Sequence, residues 1–180
     1  RRPAVAGMFY PGTRRRLTET INHYFQVCTD VKPEFRKLYG LVSPHAGYVY
    51  SGVVAAAGYK MLREMDIRDV VVIAPSHSEW FEGFSVFEGS AYETPLGGIT
   101  VNSEICERLV SDPVARYSMS GHRNEHALEV QLPFLQMALP DDLRLVPVVM
   151  GGNSLNSIRR FGENLARIAA GTNFLVVASS

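Results

Sequence analysis

Four stretches of the chain are apolar almost without interruption: residues 38–43 (LYGLVS), 69–75 (DVVVIAP), 143–151 (LRLVPVVMG) and 173–179 (NFLVVAS). A strand with one wet face alternates apolar and polar residues. Runs that do not alternate, and are rich in valine, predict strands covered on both faces, as in a parallel sheet. Between them the apolar spacing changes to that of a helix. Residues 14–28 place Leu17, Ile21, Tyr24 or Phe25, and Cys28 on one face. Ser51 reads as an N-cap, with VVAAAGYKMLREM behind it. A helix is expected over 102–111. Another starts near Asn124 and runs through HALEVQLPFLQMAL, where Pro133 implies a kink or a break into two segments. Ser154 opens a last helix through Ala170, and Gly171 is placed to end it.

Two segments fit neither pattern. The first twelve residues carry Pro3, Gly7, Pro11 and Gly12 and predict an irregular arm. Residues 81–100 mix glycine with aromatic and β-forming residues and predict short strands in tight turns. Strands alternating with helices make the fold class α/β. We expect one domain over 1–180, with a largely parallel central sheet flanked by helices and a short-strand insertion around 81–100. The last strand finishes at the carboxyl edge of that sheet, where ligands bind in open α/β folds. The expectation is a domain lacking its C-terminal part.

Composition narrows the function classes. Hydrophobic residues make up 46%, which supports a packed core rather than disorder. The formal net charge is zero, which argues against a nucleic-acid or anionic-membrane footprint. The basic runs Arg14–Arg16 and Arg159–Arg160 fall in amphipathic patterns and read as solvated helix faces. Cys28 and Cys106 sit on the apolar sides of helices and do not make a disulfide framework. No apolar stretch approaches the ~20 residues that span a bilayer, and RRPAVAGMFYPG lacks a secretory core. A cytoplasmic protein is the expectation.

Two histidines stand in equivalent places. His45 follows the first strand in Ser43-Pro44-His45, and His77 follows the second in Pro75-Ser76-His77. In a parallel sheet both emerge on the carboxyl edge. Ala46 and Gly47 leave room there for a ligand. Neutral imidazole is the commonest side-chain metal ligand, so the pair suggests an open metal site. Two buried, hydrogen-bonded turn histidines fit the same pattern.

His122, Glu125 and His126 spell H-x-x-E-H, the spacing of an inverted zinc-protease motif. With Asn124 as the cap, His122 falls before the first helical turn, off the shared face. It reads as a surface-loop residue. Glu125 and His126 belong to the first turn, where they serve either as catalytic proton donor and acceptor in the same crevice or in capping and packing. Gly151-Gly152-Asn153-Ser154 precedes a helix and reads as a connection before an anion site. Ser179 and Ser180 reach the crevice edge, and one of Tyr48 and Tyr50 is expected to line the pocket.

Taken together, RRPAVAGMFYPG, VSPHAGYVYSG, IAPSHSEWFEGFSV, YETPLGG, NEHALEVQLPFLQ, VPVVMGG and FLVVASS resemble the Memo-like family, in order and over nearly the whole chain. That family is similar in fold to class III extradiol ring-cleaving dioxygenases, which use non-haem Fe(II). The resemblance implies that His45 and His77 hold a divalent transition metal, Fe(II) first, with zinc or copper as alternatives. It implies that Glu125 and His126 lie near the same crevice as proton-handling residues. Family members carry a further ligand later in the chain, so the third ligand is expected outside these residues, with Glu125 or His126 as the internal alternatives. Metal-dependent redox or oxygenase activity on a small molecule is the implied function. The alternative is a non-enzymatic module that binds a peptide or small ligand in the same crevice, with Tyr48, Tyr50, Trp80 and Phe81 as its apolar wall. A zinc-dependent hydrolase rests on H-x-x-E-H alone.

Overall fold

The computed structural model describes residues 1–31 and 38–180. The apolar runs become strands: β1 (Gly40–Ser43), β2 (Asp69–Pro75), β7 (Arg144–Met150) and β8 (Phe174–Ser179). The insertion supplies β3 (Phe84–Val86), β4 (Ala91–Thr94) and β5 (Gly97–Val101), and the short β6 (Ala115–Tyr117) follows. The sheet order is β1-β8-β2-β7-β3-β6, with β4 paired to β5 and β5 to β7. Pairing is parallel throughout except β3 with β7 and β4 with β5. Val70, Val71, Val72, Leu145, Val146, Val148, Leu175 and Val177 are all fully buried. Both faces of the central strands are therefore covered, which is why their sequences do not alternate.

The helices are α1 (Arg14–Val27), α2 (Tyr48–Lys60), α3 (Ser103–Val110), α4 (His126–Glu129), α5 (Leu132–Ala138) and α6 (Leu155–Ala169). α1 buries Leu17, Ile21 and Phe25, the expected face. Each such side chain is worth roughly 1.5–3 kcal/mol when fully buried. Asn102 and Ser154 cap α3 and α6 by accepting from Ile105 N and Ser157 N. Among the described residues no helix is long and apolar enough to cross a membrane. Cys28 and Cys106 are buried and free, and burial pushes the Cys106 thiol up to about 12.

Two helix starts and one short strand differ from the sequence reading. α2 begins at Tyr48, not after Ser51. Its first amide is satisfied from the arm, Tyr48 N donating to Phe9 O at 2.8 Å, so no side-chain cap is needed. The segment from Asn124 does break into α4 and α5, one of the two outcomes expected of Pro133, which stands in the first turn of α5, where a missing N–H costs nothing. The cap of α4 is Glu125 rather than Asn124, since the Glu125 carboxylate accepts from Ala127 N. β6 lies in a stretch for which no strand was expected: three residues carry too little pattern, and pairing with β3 makes them a strand.

Candidate metal centre

The sheet order sets the site. β8 lies between β1 and β2, and all three run parallel. His45 and His77 each follow their strand by two residues. They therefore emerge on the same edge, one strand apart, and their ring centroids are 5.1 Å apart. α4 delivers a third imidazole. The His126 ring centre is 4.7 Å from that of His77 and 5.7 Å from that of His45. One ring nitrogen from each of the three lies within 4.8 Å of the others. Imidazole–metal bonds are roughly 2.0–2.1 Å, and three nitrogens grouped this closely could hold one ion.

The surrounding hydrogen bonds decide which nitrogen each ring presents. Glu125 is 1% exposed, and both its oxygens are engaged. Oε2 accepts from His77 N at 2.6 Å, and Oε1 accepts from Ala127 N at 3.0 Å. The same Oε1 lies 3.0 Å from His77 Nδ1 and 3.2 Å from His126 Nδ1. An ionised carboxylate only accepts, so it favours the proton on Nδ1 in both rings. For His45 the partner is Ser179, whose hydroxyl donates to Ala127 O at 2.6 Å. With its one proton spent there, Ser179 Oγ accepts from Gln131 Nε2 at 2.7 Å and from His45 Nδ1 at 3.3 Å. Nε2 is thus the free lone pair on all three rings. Carboxylate-held histidines of this kind are the usual outer support of metal centres.

Charge favours the same state. Burial, then the neighbouring His77 and His126, lower the His45 pKa below the ordinary imidazole range. Burial also lowers His126, with Glu125 working in the other direction. Both rings are neutral at pH 7, as ligation requires. Burial would raise the pKa of Glu125. The amides of His77 and Ala127 and the His77 ring outweigh it and hold the carboxyl below its usual range.

Other predicted residues went elsewhere. His122 is fully buried, not on a surface loop. Its Nδ1 is 2.6 Å from the Tyr92 hydroxyl and its Nε2 is 3.0 Å from Ser85 O. Gly121, at φ +76°, turns the chain inward just before it. With both nitrogens spent, His122 plays no part in the three-histidine group, and H-x-x-E-H does not form a shared helical face. Tyr48 is a core residue whose hydroxyl donates to Val130 O at 2.8 Å, and its ring lines a cavity of about 270 Å³ under the arm. Tyr50 is 87% exposed. Phe81 is buried while Trp80 is exposed, so the four aromatics do not form one wall.

Gln131 and Glu129 are site supports that the sequence reading missed. Gln131 Oε1 accepts from Tyr59 OH at 2.7 Å, while its Nε2 holds both Pro44 O at 3.1 Å and Ser179. Glu129 is 0% exposed and bonded to the arm. The available signal was a polar pair, Glu129 and Gln131, inside the otherwise apolar HALEVQLPFL.

The Memo-like protein family model matches residues 1–180. Relatives matched over the whole of this chain include three MEMO1 family proteins. The one from Nitrosopumilus maritimus is 34% identical over 185 residues, that from Methanopyrus kandleri 37% over 190, and that from Ignicoccus hospitalis 39% over 196. Each alignment takes in 100% of this chain and 67% of the relative. The chain thus spans about two thirds of the length of the relatives it matches.

Proposed function

The chain belongs to the Memo-like family, and on that premise we propose that His45, His77 and His126 hold one divalent transition metal at the strand-end edge. The observation that carries this is the convergence of three imidazoles whose second nitrogens are all engaged by the protein. Three imidazoles suit iron, zinc and copper alike. The order with Fe(II) first comes from the likeness to extradiol dioxygenases. Such a metal, when bound, supplies Lewis acidity and, for iron or copper, redox chemistry.

The chain's own residues do the rest. Glu125 and Ser179 fix the ring tautomers. His77, with a side chain 43% exposed, faces solvent and the approach of a small molecule. The reading is of metal-dependent redox or oxygenase chemistry on a small molecule. His126 serves as ligand rather than as a separate proton donor, and Glu125 as the residue that orients two rings. The assignment of Glu125 and His126 as catalytic acid and base is the competing role for the same pair. A second reading, a peptide- or small-ligand-binding module without turnover, draws support from Trp80, 83% exposed and three residues beyond His77.

The test is metal content of this chain, purified without a histidine tag, beside its three single His→Ala variants. About one metal per chain, lost in each variant, is expected. No uptake by the parent chain of Fe(II), Zn(II) or Cu(II) defeats the proposal and favours the binding module.

A further inference from the structure

The arm of residues 1–12 is fastened to the helix that carries His126. Among the described residues Glu129 accepts four hydrogen bonds, all from the arm. Arg1 Nη1 at 2.7 Å and Ala4 N at 2.8 Å reach Oε2. Val5 N at 3.0 Å and Tyr10 OH at 2.6 Å reach Oε1. A turn with Gly7 at φ +84° then returns the chain, Gly7 N donating to Tyr10 O at 2.7 Å. At that turn Phe9 does two things. Its ring lies 4.5 Å from the His126 ring, tilted by 36°. Its carbonyl accepts from Tyr48 N at 2.8 Å, three residues after His45.

α4 has only four residues, a single turn that has no stability of its own. Its position is set from outside, by Glu125 at one end and by Glu129 at the other. Resting on the reading of the three histidines as metal ligands, we propose that the arm is a positioning brace for the metal centre. Glu129 and Phe9 are the positioning residues, and together they fix the His126 ring relative to His45. Glu129 locks the helix, Phe9 walls one side of the His126 ring, and the Phe9 carbonyl ties the same turn to the loop of His45. A clasp that only stabilised the fold would not require a ring against His126.

The test uses the whole chain with Co(II) as probe. Affinity and the visible ligand-field bands are read in the parent and in Phe9→Ala, Phe9→Tyr and Glu129→Gln. A tenfold or greater loss of affinity with altered bands is expected for Phe9→Ala and Glu129→Gln, with recovery in Phe9→Tyr. Phe9→Ala leaves the Glu129 clasp untouched, so it decides the matter even if Glu129→Gln fails to fold. Affinity within twofold of the parent in Phe9→Ala overturns the brace and leaves the three-histidine reading standing. A parent chain that takes up no Co(II) overturns the three-histidine reading, and the brace of a metal with it. Ring nitrogen NMR of the metal-free protein gives a second readout. His126 resonances are expected to move in Phe9→Ala while those of His23 and His122 stay, and an unmoved His126 also overturns the brace.

Discussion

His122 and His126 are four residues apart, yet they lie in chemically opposite regions. His122 sits beneath β3 and β4, with one nitrogen on the Tyr92 hydroxyl and the other on a backbone carbonyl. His126 lies on the strand-end rim with one nitrogen beside Glu125 and the other uncommitted among the described residues, next to two further rings in the same condition. Burial lowers the pKa of both, for His122 to about 4. What separates a structural histidine from a ligand is therefore not its neutrality. It is whether the protein has used one nitrogen or two.

The largest effects should separate the two regions cleanly. In His77→Ala, metal binding is expected to fall below detection in a titration while thermal stability barely moves, because a side chain 43% exposed leaves no closed cavity. Retained binding in that variant would remove His77 from the site. His122→Ala should do the reverse. Loss of a fully buried ring that satisfies Tyr92 should cost about 3–4 kcal/mol in denaturant unfolding, with metal affinity unchanged.

A pH series sharpens the contrast. Between about pH 6.5 and 4 the unfolded chain protonates His122 while the folded protein does not. Stability therefore falls as the pH drops through this window, by about 3 kcal/mol from this residue, and the loss levels off near pH 4, where the folded protein also takes the proton. His122→Gln is expected to remove that part of the slope. An identical slope in the variant would assign the acid sensitivity elsewhere. Glu125→Gln comes next. It keeps the cap of α4 but weakens the hold on His77 and His126, and metal affinity should drop ten- to a hundredfold. The smallest change is expected for Arg15→Ala, at an i,i+4 pair with Glu19 whose side chains are 77% and 60% exposed. It should cost no more than about 0.5 kcal/mol, with no effect on metal.

Much of the fold was legible because it depends on local pattern. Three of the four non-alternating runs became strands inside the sheet, while β1 took its edge and leaves Val42 exposed, and the apolar face of α1 buried the residues its period selects. His45 and His77 were legible for the same reason: each stands just past a strand, and parallel strands share an exit edge. His126 was drawn to the same crevice by its place at a helix start, but its distance from the other two rings depends on how α4 docks. The surface reading of His122 failed because a glycine-histidine loop looks the same whether it faces solvent or turns inward. Tyr92, whose hydroxyl donates to it, and Ser85, whose carbonyl accepts from it, are 30 and 37 residues away. The arm was read as irregular, and it is. Nothing in its own composition announces that it ends on Glu129, over a hundred residues on.

The sequence by itself determined the α/β class, the two strand-end histidines and the family. These follow from periodicity and short-range spacing, which a chain carries wherever it folds. The tertiary structure alone decided that three imidazoles meet, which nitrogen each presents, that His122 is spent inside, and that the arm reaches α4. Those outcomes depend on hydrogen bonds between residues distant in sequence. Only packing brings such partners to 3 Å, because no local preference encodes which buried acceptor a donor will meet.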